Sequence, residues 1–346
     1  MAQIPQISTT IVRPTSHDHL KQRLIEVRTE QQLDTTPKSH SSQTLNIFYP
    51  LAGRLAAVES QDKAGTCFSI NCNGDGALFV HAAADDVIVS NLFSMNGVLN
   101  YEGFPKPLLA VQVTELIDGI FVGCTMNHCV VDGSSFWHFF NTWSEISRSG
   151  SDENFQPPPI FDRQFLDGVF DLPVHIRFSY SKIPDKLNPP ISLNYLQREI
   201  IYKISVGLRQ KLKPPLPKEY LGNALQGVHV KSTAGELLQH ELGWAALHIN
   251  KTIASLTAEQ EVLEDWAKTP TVSSKLRENI PTSTTSSTFS LLTGSSPQFN
   301  VHGNDFRWGR PVAVQSGSAN KMNVCLLPET LHAMAEDAEF MEAVLA

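Results

Sequence analysis

A histidine, an aspartate and a glycine stand at His128, Asp132 and Gly133, inside the run Asn127-His128-Cys129-Val130-Val131-Asp132-Gly133. An imidazole can take a proton from an alcohol or amine near neutral pH, because its unperturbed pKa lies near 6.5. The pattern alone is weak. With 12 His and 16 Asp in 346 residues, chance supplies about half an occurrence of His-x-x-x-Asp. A second copy, from His81 to Asp85, is present and has to be separated from the first. Cys129 adds a thiol beside the histidine. As a small apolar residue between a strand and a buried helix, it is expected to pack rather than react. His17-Asp18-His19 resembles the start of a metal site but lies in a polar segment without further ligands, so no metal is expected.

The elements around His128 distinguish it from His81. Residues 108–116 and 120–126 read as two strands, with Asp118-Gly119 between them as a hairpin signal. Ile120, Val122, Cys124, Met126 and His128 share one parity, which predicts that the imidazole continues an apolar face at a strand end. Gly133 and Ser134 break the strand and offer a helix N-terminus. Phe136, Phe139, Phe140, Trp143 and Ile146 follow at helical spacing and predict one buried stripe. Strand, sharp turn and buried helix make a rigid mount for a catalytic group. After His81-Ala82-Ala83-Ala84-Asp85, Asp86 replaces the glycine and Val87-Ile88-Val89 begins another strand, so His81 is expected to be structural.

A chain of 346 residues exceeds the size at which one core usually stops growing, so two domains are expected. Apolar residues at 41% and charged residues at 18% indicate a globular protein. The net charge of −8, with no basic run, argues against a nucleic-acid surface and requires a local cationic patch for any anionic cofactor. Five cysteines in an odd set without paired spacing point to reduced thiols. No signal-peptide pattern opens the chain and no apolar run reaches membrane length, so a soluble cytoplasmic protein without membrane contact is expected. Pro157-Pro158-Pro159 marks the start of a crossover, and residues 199–207 read as a strand. Leu237, Leu238, Leu242, Ala245, Ala246, Ile249, Ile253 and Leu256 predict one long amphipathic helix. Residues 282–296 contain a further strand, and Leu331 to Val344 line a C-terminal helix. Strands and helices without βαβ alternation predict α+β sheets rather than a dinucleotide-binding fold.

Five blocks, in order, resemble those of the plant acyl-CoA-dependent acyltransferases of the BAHD family. Tyr49-Pro50-Leu51-Ala52-Gly53-Arg54-Leu55 is similar to its Pro-Leu-Ala-Gly-Arg segment, and Asn71-Cys72-Asn73-Gly74-Asp75-Gly76 to the turn that follows. His128 to Gly133 matches the His-x-x-x-Asp-Gly signature. Lys213-Pro214-Pro215-Leu216-Pro217 with Tyr220-Leu221-Gly222-Asn223-Ala224 resembles the Pro-Pro and Gly-Asn block, and Asp305-Phe306-Arg307-Trp308-Gly309 the Asp-Phe-Gly-Trp-Gly signature. The resemblance implies two similar chloramphenicol-acetyltransferase-like domains with a channel between them, here residues 1–160 and 191–346 joined by a crossover at 161–190. It implies acyl transfer from acyl-CoA, a co-substrate rather than a permanent cofactor, to a hydroxyl or amine of a small specialised metabolite. His128 would be the general base. Asp132, held by an arginine, would support the loop with Gly133, while Asp305, Trp308 and Gly309 would support the second domain's shape. A monomer is expected, and the residues that contact CoA are not readable from the sequence.

The chain departs from that family in two ways. Arg307 replaces a glycine, which costs roughly 1 kcal/mol or more if the position needs positive φ. Segments also look shortened between residues 36 and 45, between 194 and 204, and between 323 and 324. An incomplete second domain is therefore expected, together with a threat to the arginine partner of Asp132. A catalytically silent relative, acting as a binding protein or a mis-spliced product, is the alternative reading.

Overall fold

The computed structural model describes residues 6–14, 36–59, 66–84, 92–95, 106–117, 119–150, 157–162, 177–179, 195–197, 199–255, 271–273, 288–293 and 299–314. In chain order the first half contains β1 (Gln6–Val12), α1 (Thr36–Ile47), β2 (Arg54–Glu59), β3 (Thr66–Asn71), β4 (Ala77–Ala83), β5 (Leu109–Leu116), β6 (Gly119–Met126) and α2 (Gly133–Ser149). The second half contains β7 (Arg177–Ser179), β8 (Glu199–Gly207), β9 (Leu225–Thr233), α3 (Ala234–Gln239), α4 (Leu242–Ala254), β10 (Thr271–Ser273) and β11 (Thr288–Thr293).

The first sheet has the order β1-β4-β5-β6. β5 and β6 form the expected hairpin, with Leu109 opposite Met126 and Leu116 opposite Gly119. The reversal falls one residue earlier than Asp118-Gly119 suggests, and Gly119 belongs to the strand. β4 runs parallel to β5, so β5 lies in the sheet interior. Its residues are buried from Leu109 to Thr114. The buried Gln112 and Thr114 hydrogen-bond each other at 3.1 Å, and Ser94 donates to Gln112 at 2.9 Å, which satisfies polar groups that would otherwise be costly there.

Helices α1 and α2 pack against each other and supply Leu45, Phe139 and Trp143 to the core, all with essentially no exposure. Phe48 meets Phe139 edge-on at 5.4 Å, one of the favoured aromatic geometries. Leu221 and Phe306 join the same core from the second half, so the hydrophobic interior itself ties distant segments together.

In the second half β8 pairs antiparallel with β9 and parallel with β11, and β7 and β10 form a short parallel pair. The expected strands at 199–207 and within 282–296 are present as β8 and β11. The single long helix expected from Leu237 onward is not. It divides into α3 and α4 around an extended His240, and α4 buries no residue. Leu238, Leu242 and Leu247 are 71%, 86% and 51% exposed. An apolar stripe creates a continuous helix only when something covers it, and among the described residues none buries the α4 stripe. The proposed C-terminal helix and the His17-Asp18-His19 cluster lie outside the described residues. Among the described residues no helix is long and apolar enough to cross a membrane.

Candidate active site

β6 ends at Met126, and the chain turns through residues 128–130. Buried Asn127 builds this turn. Its backbone N–H donates to Leu108 O at 2.8 Å, its Oδ1 accepts the Cys129 N–H at 2.9 Å, and its carbonyl accepts Val130 N–H at 3.1 Å. Val122, Cys124 and Met126 pack on the core, but His128 leaves that face and is exposed. The parity reading therefore holds for the three middle members and fails at both ends: Ile120 is exposed beside the hairpin reversal, and the turn rotates the chain before the imidazole is reached. Cys129 is exposed rather than packed, although partial burial still pushes its thiol pKa up. A raised pKa disfavours the thiolate, which is the nucleophilic form.

Asp132 is the N-cap of α2 and only 3% exposed. Its Oδ1 accepts the Ser135 N–H at 2.9 Å, which satisfies an otherwise orphaned helical donor. Arg209 reaches the same carboxylate in a fork, with Nη2 2.7 Å from Oδ1 and Nε 3.1 Å from Oδ2. The Ala224 N–H donates to Oδ2 at 3.2 Å. Arg209 also donates to the carbonyls of Tyr220 (2.8 Å) and Gly222 (3.1 Å), and to the Ser135 hydroxyl (2.9 Å). Its guanidinium lies 5.3 Å from the Tyr220 ring centroid. The arginine expected to be under threat in the shortened chain is therefore present. It follows β8 and precedes the Pro-Pro block, outside the stretch 194–204 that looks shortened.

Gly133 opens α2 where a side chain fits only if the Phe299 ring shifts. A Cβ there would lie 2.9 Å from the Phe299 ring. On the opposite flank the Asn223 side-chain amide donates to His128 O at 2.6 Å. Residues from both halves thus meet at this turn.

The block at 305–309 packs far along the same helix. The Asp305 N–H donates to Ser144 Oγ at 2.6 Å, and Phe306 meets Trp143 edge-on at 4.6 Å. At 1.5 Å rise per residue, Ser144 is roughly 16 Å from the helix start. Asp305 Oδ1 accepts the N–H groups of Arg307 and Gly309, closing the turn. Arg307 adopts φ 77°, so the position does impose the left-handed backbone that glycine tolerates best. Its Nε donates to Arg148 O at 3.2 Å, anchoring the side chain. Phe306 is buried, whereas Trp308 is 42% exposed.

The two early blocks meet each other. Arg54 donates to the carbonyls of Gly53 and Gly76, each at 2.7 Å, and Gly76 N–H donates to Ala52 O at 2.8 Å. The decoy His81 lies on β4 with Nε2 2.6 Å from Glu115 Oε1 of β5, a cross-strand pair within the sheet. Among the described residues no group of three or more metal-type ligands converges.

A model of the Transferase family matches residues 25–202 and 194–344. The chain is 34% identical to an uncharacterized acetyltransferase of Arabidopsis thaliana, over 87% of this chain and 85% of that protein. It is 30% identical to BAHD acyltransferase DCR of Arabidopsis thaliana, over 81% of this chain and 70% of that one. The crystal structure of F. graminearum TRI101 complexed with coenzyme A and deoxynivalenol has the same fold, with a TM-score of 0.57 at 12% identity, over 89% of this chain and 90% of that one. The fold is that of the chloramphenicol-acetyltransferase-like α+β proteins. The chain belongs to the BAHD acyltransferase family, whose members support acyl transfer to small metabolites. Its alignment with the first of these relatives spans 384 positions, more than the 346 residues available, so it opens internal gaps. The two family matches meet at 194–202, one of the places where a segment looks shortened.

Proposed function

We propose that this protein transfers an acyl group from an acyl-CoA thioester to a hydroxyl or amine of a small specialised metabolite, with His128 as general base. The imidazole removes the acceptor's proton while its oxygen or nitrogen attacks the thioester carbonyl. The tetrahedral oxyanion collapses, the C–S bond breaks, and the thiolate leaves with the proton returned from His128. General-base assistance of this kind contributes about 10²–10⁴ in rate. No covalent enzyme intermediate is needed, in keeping with the raised thiol pKa of Cys129.

The observation that carries the reading is the turn itself. His128 is exposed on a turn whose backbone is tied down from both sides, while the Asp132 carboxylate is turned into Arg209. That geometry supports Asp132, Gly133 and Arg209 as supports of the loop rather than members of a triad. Asp305, Trp308 and Gly309 would support the far end of α2 and the second domain. The coenzyme A in the TRI101 complex supports acyl-CoA as co-substrate, with no permanent cofactor. We assign residues 1–160 and 191–346 to the two domains, acting as a soluble cytoplasmic monomer.

The test is a screen of acetyl-, benzoyl- and p-coumaroyl-CoA against alcohol and amine acceptors, read as thiol release and product mass. His128→Ala should lower kcat by about 10²–10⁴ with thioester affinity and melting temperature nearly unchanged. A His128→Ala enzyme as fast as wild type would sink the mechanism. The exposed leucines of α4 and the internal gaps favour a second reading, a catalytically silent relative. Acyl-CoA-dependent product above the His128→Ala background decides against it.

A further inference from the structure

Three consecutive residues of the second half each grip a different residue of the first-half motif. The Gly222 N–H donates to Ser135 Oγ at 3.0 Å, the Ala224 N–H donates to Asp132 Oδ2 at 3.2 Å, and Asn223 donates to His128 O at 2.6 Å. The outer two contacts use backbone and meet buried side chains. The middle one uses a side chain and meets the backbone of the histidine itself. A carbonyl oxygen only accepts, so the Asn223 amide must present its nitrogen, and an aspartate could not replace it.

We propose that Asn223 is a positioning residue for His128. The inference rests on the reading of His128 as general base. His128 lies two residues beyond the end of β6, so ladder hydrogen bonds no longer fix its peptide plane. Asn127 ties the turn on its own side, through Leu108, Cys129 and Val130. Asn223 ties the His128 carbonyl from across the molecule, 95 residues away. Holding that plane restrains the backbone on the C-terminal side of the His128 Cα, and so narrows where its Cβ and the imidazole can lie. Asn223 is exposed, so water can replace its bond with little loss of stability. Catalysis is less forgiving, since a misplacement of about 1 Å can cost about 10²-fold in rate.

Kinetics and spectroscopy test the proposal together. Asn223→Ala should lower kcat about 10-fold while KM for the thioester and the melting temperature hold, the latter within about 2 °C. Asn223→Gln, which retains the amide donor, should recover part of the loss. Asn223→Asp should remain slow and move the acid limb of the kcat/KM profile to higher pH, because a carboxylate near the imidazole favours its protonated form. In histidine-selective NMR, with the His128 signals assigned by their loss in His128→Ala, Asn223→Ala should shift or broaden those signals and leave His81 unmoved. The proposal is overturned if Asn223→Ala keeps kcat within twofold of wild type, if its loss falls in KM or melting temperature, or if the His128 signals do not change. An active His128→Ala enzyme would overturn the base itself. An inactive His128→Ala with a fully active Asn223→Ala would overturn Asn223 alone.

Discussion

Four hydrogen bonds converge on the Asp132 carboxylate, two from Arg209 and one each from the N–H groups of Ser135 and Ala224. Both ions are buried, so removing either partner leaves an uncompensated charge and costs on the order of 3–5 kcal/mol. Asp132→Asn and Arg209→Ala should each show that loss in urea unfolding, with activity falling as the turn loosens. Their double variant should lose less than the sum, because the second change removes the charge that the first left unpaired. Wild-type unfolding of Asp132→Asn beside a large fall in kcat would instead point to a role in orienting the imidazole. The spacing of His128, Asp132 and Gly133 was legible in the sequence because it is local. Arg209 was not, since a lone arginine 77 residues from its partner carries no periodic signal. Cys129 was misread because the turn, which exposes it, depends on the Asn127 side chain.

Helix α2 is the element that collects the dispersed blocks. Its first turn receives Arg209 and the 222–224 segment, and its last turns receive Asp305 and Arg307. Gly150 closes it in a left-handed C-cap with φ 78°, donating to Ile146 O at 2.8 Å. Gly133→Ala should lower thermal stability by about 1–3 kcal/mol through overpacking against Phe299. Adding Phe299→Ala should reduce the penalty of that substitution; an unchanged penalty would mean that the ring is not its source. His138 on the same helix meets Phe48 edge-on at 5.1 Å, and burial pushes its pKa down, against the opposing effect of the Pro157 carbonyl. The unfolded state therefore takes up a proton before the folded state does. This contribution to stability is present above about pH 6.5 and is lost as pH falls through the folded value. The drop in melting temperature from pH 7.5 to pH 5 should shrink in His138→Gln, and an equal drop would exclude His138 as a source. The buried stripe of α2 was readable because its period is local and its partners, β5 and α1, are present. The same reading failed for α3 and α4, where tertiary cover decides whether an apolar stripe becomes one buried helix.

Across the whole molecule the two halves are unequal. The first has a four-stranded sheet, two helices and a shared aromatic core. The second has a three-stranded sheet beside a helix that buries nothing among the described residues. The shortened stretches were legible through the family resemblance, whereas the exposure of α4 is a matter of tertiary cover that no local pattern carries. Full burial of a leucine side chain is worth about 1.5–3 kcal/mol, so leaving Leu238, Leu242 and Leu247 in water forgoes several kcal/mol. A loss of that size is comparable with the roughly 5–15 kcal/mol by which whole domains are stable. An apolar surface on this scale also invites association. The chain of 346 residues should therefore melt at a lower temperature and self-associate more readily than a longer relative, with reduced activity. Restoring the shortened segments at 194–204 and 323–324 from a longer relative should raise the melting temperature, reduce self-association and increase acyl-CoA-dependent activity. Gel filtration, thermal melting and thiol release on both forms provide the comparison. The Asp132–Arg209 pair and the Asn223 tie exist in the short chain, so restoration acts on stability and leaves the turn at His128 as it is. A short form that elutes, melts and turns over like the restored one would show that the fold tolerates an uncovered α4.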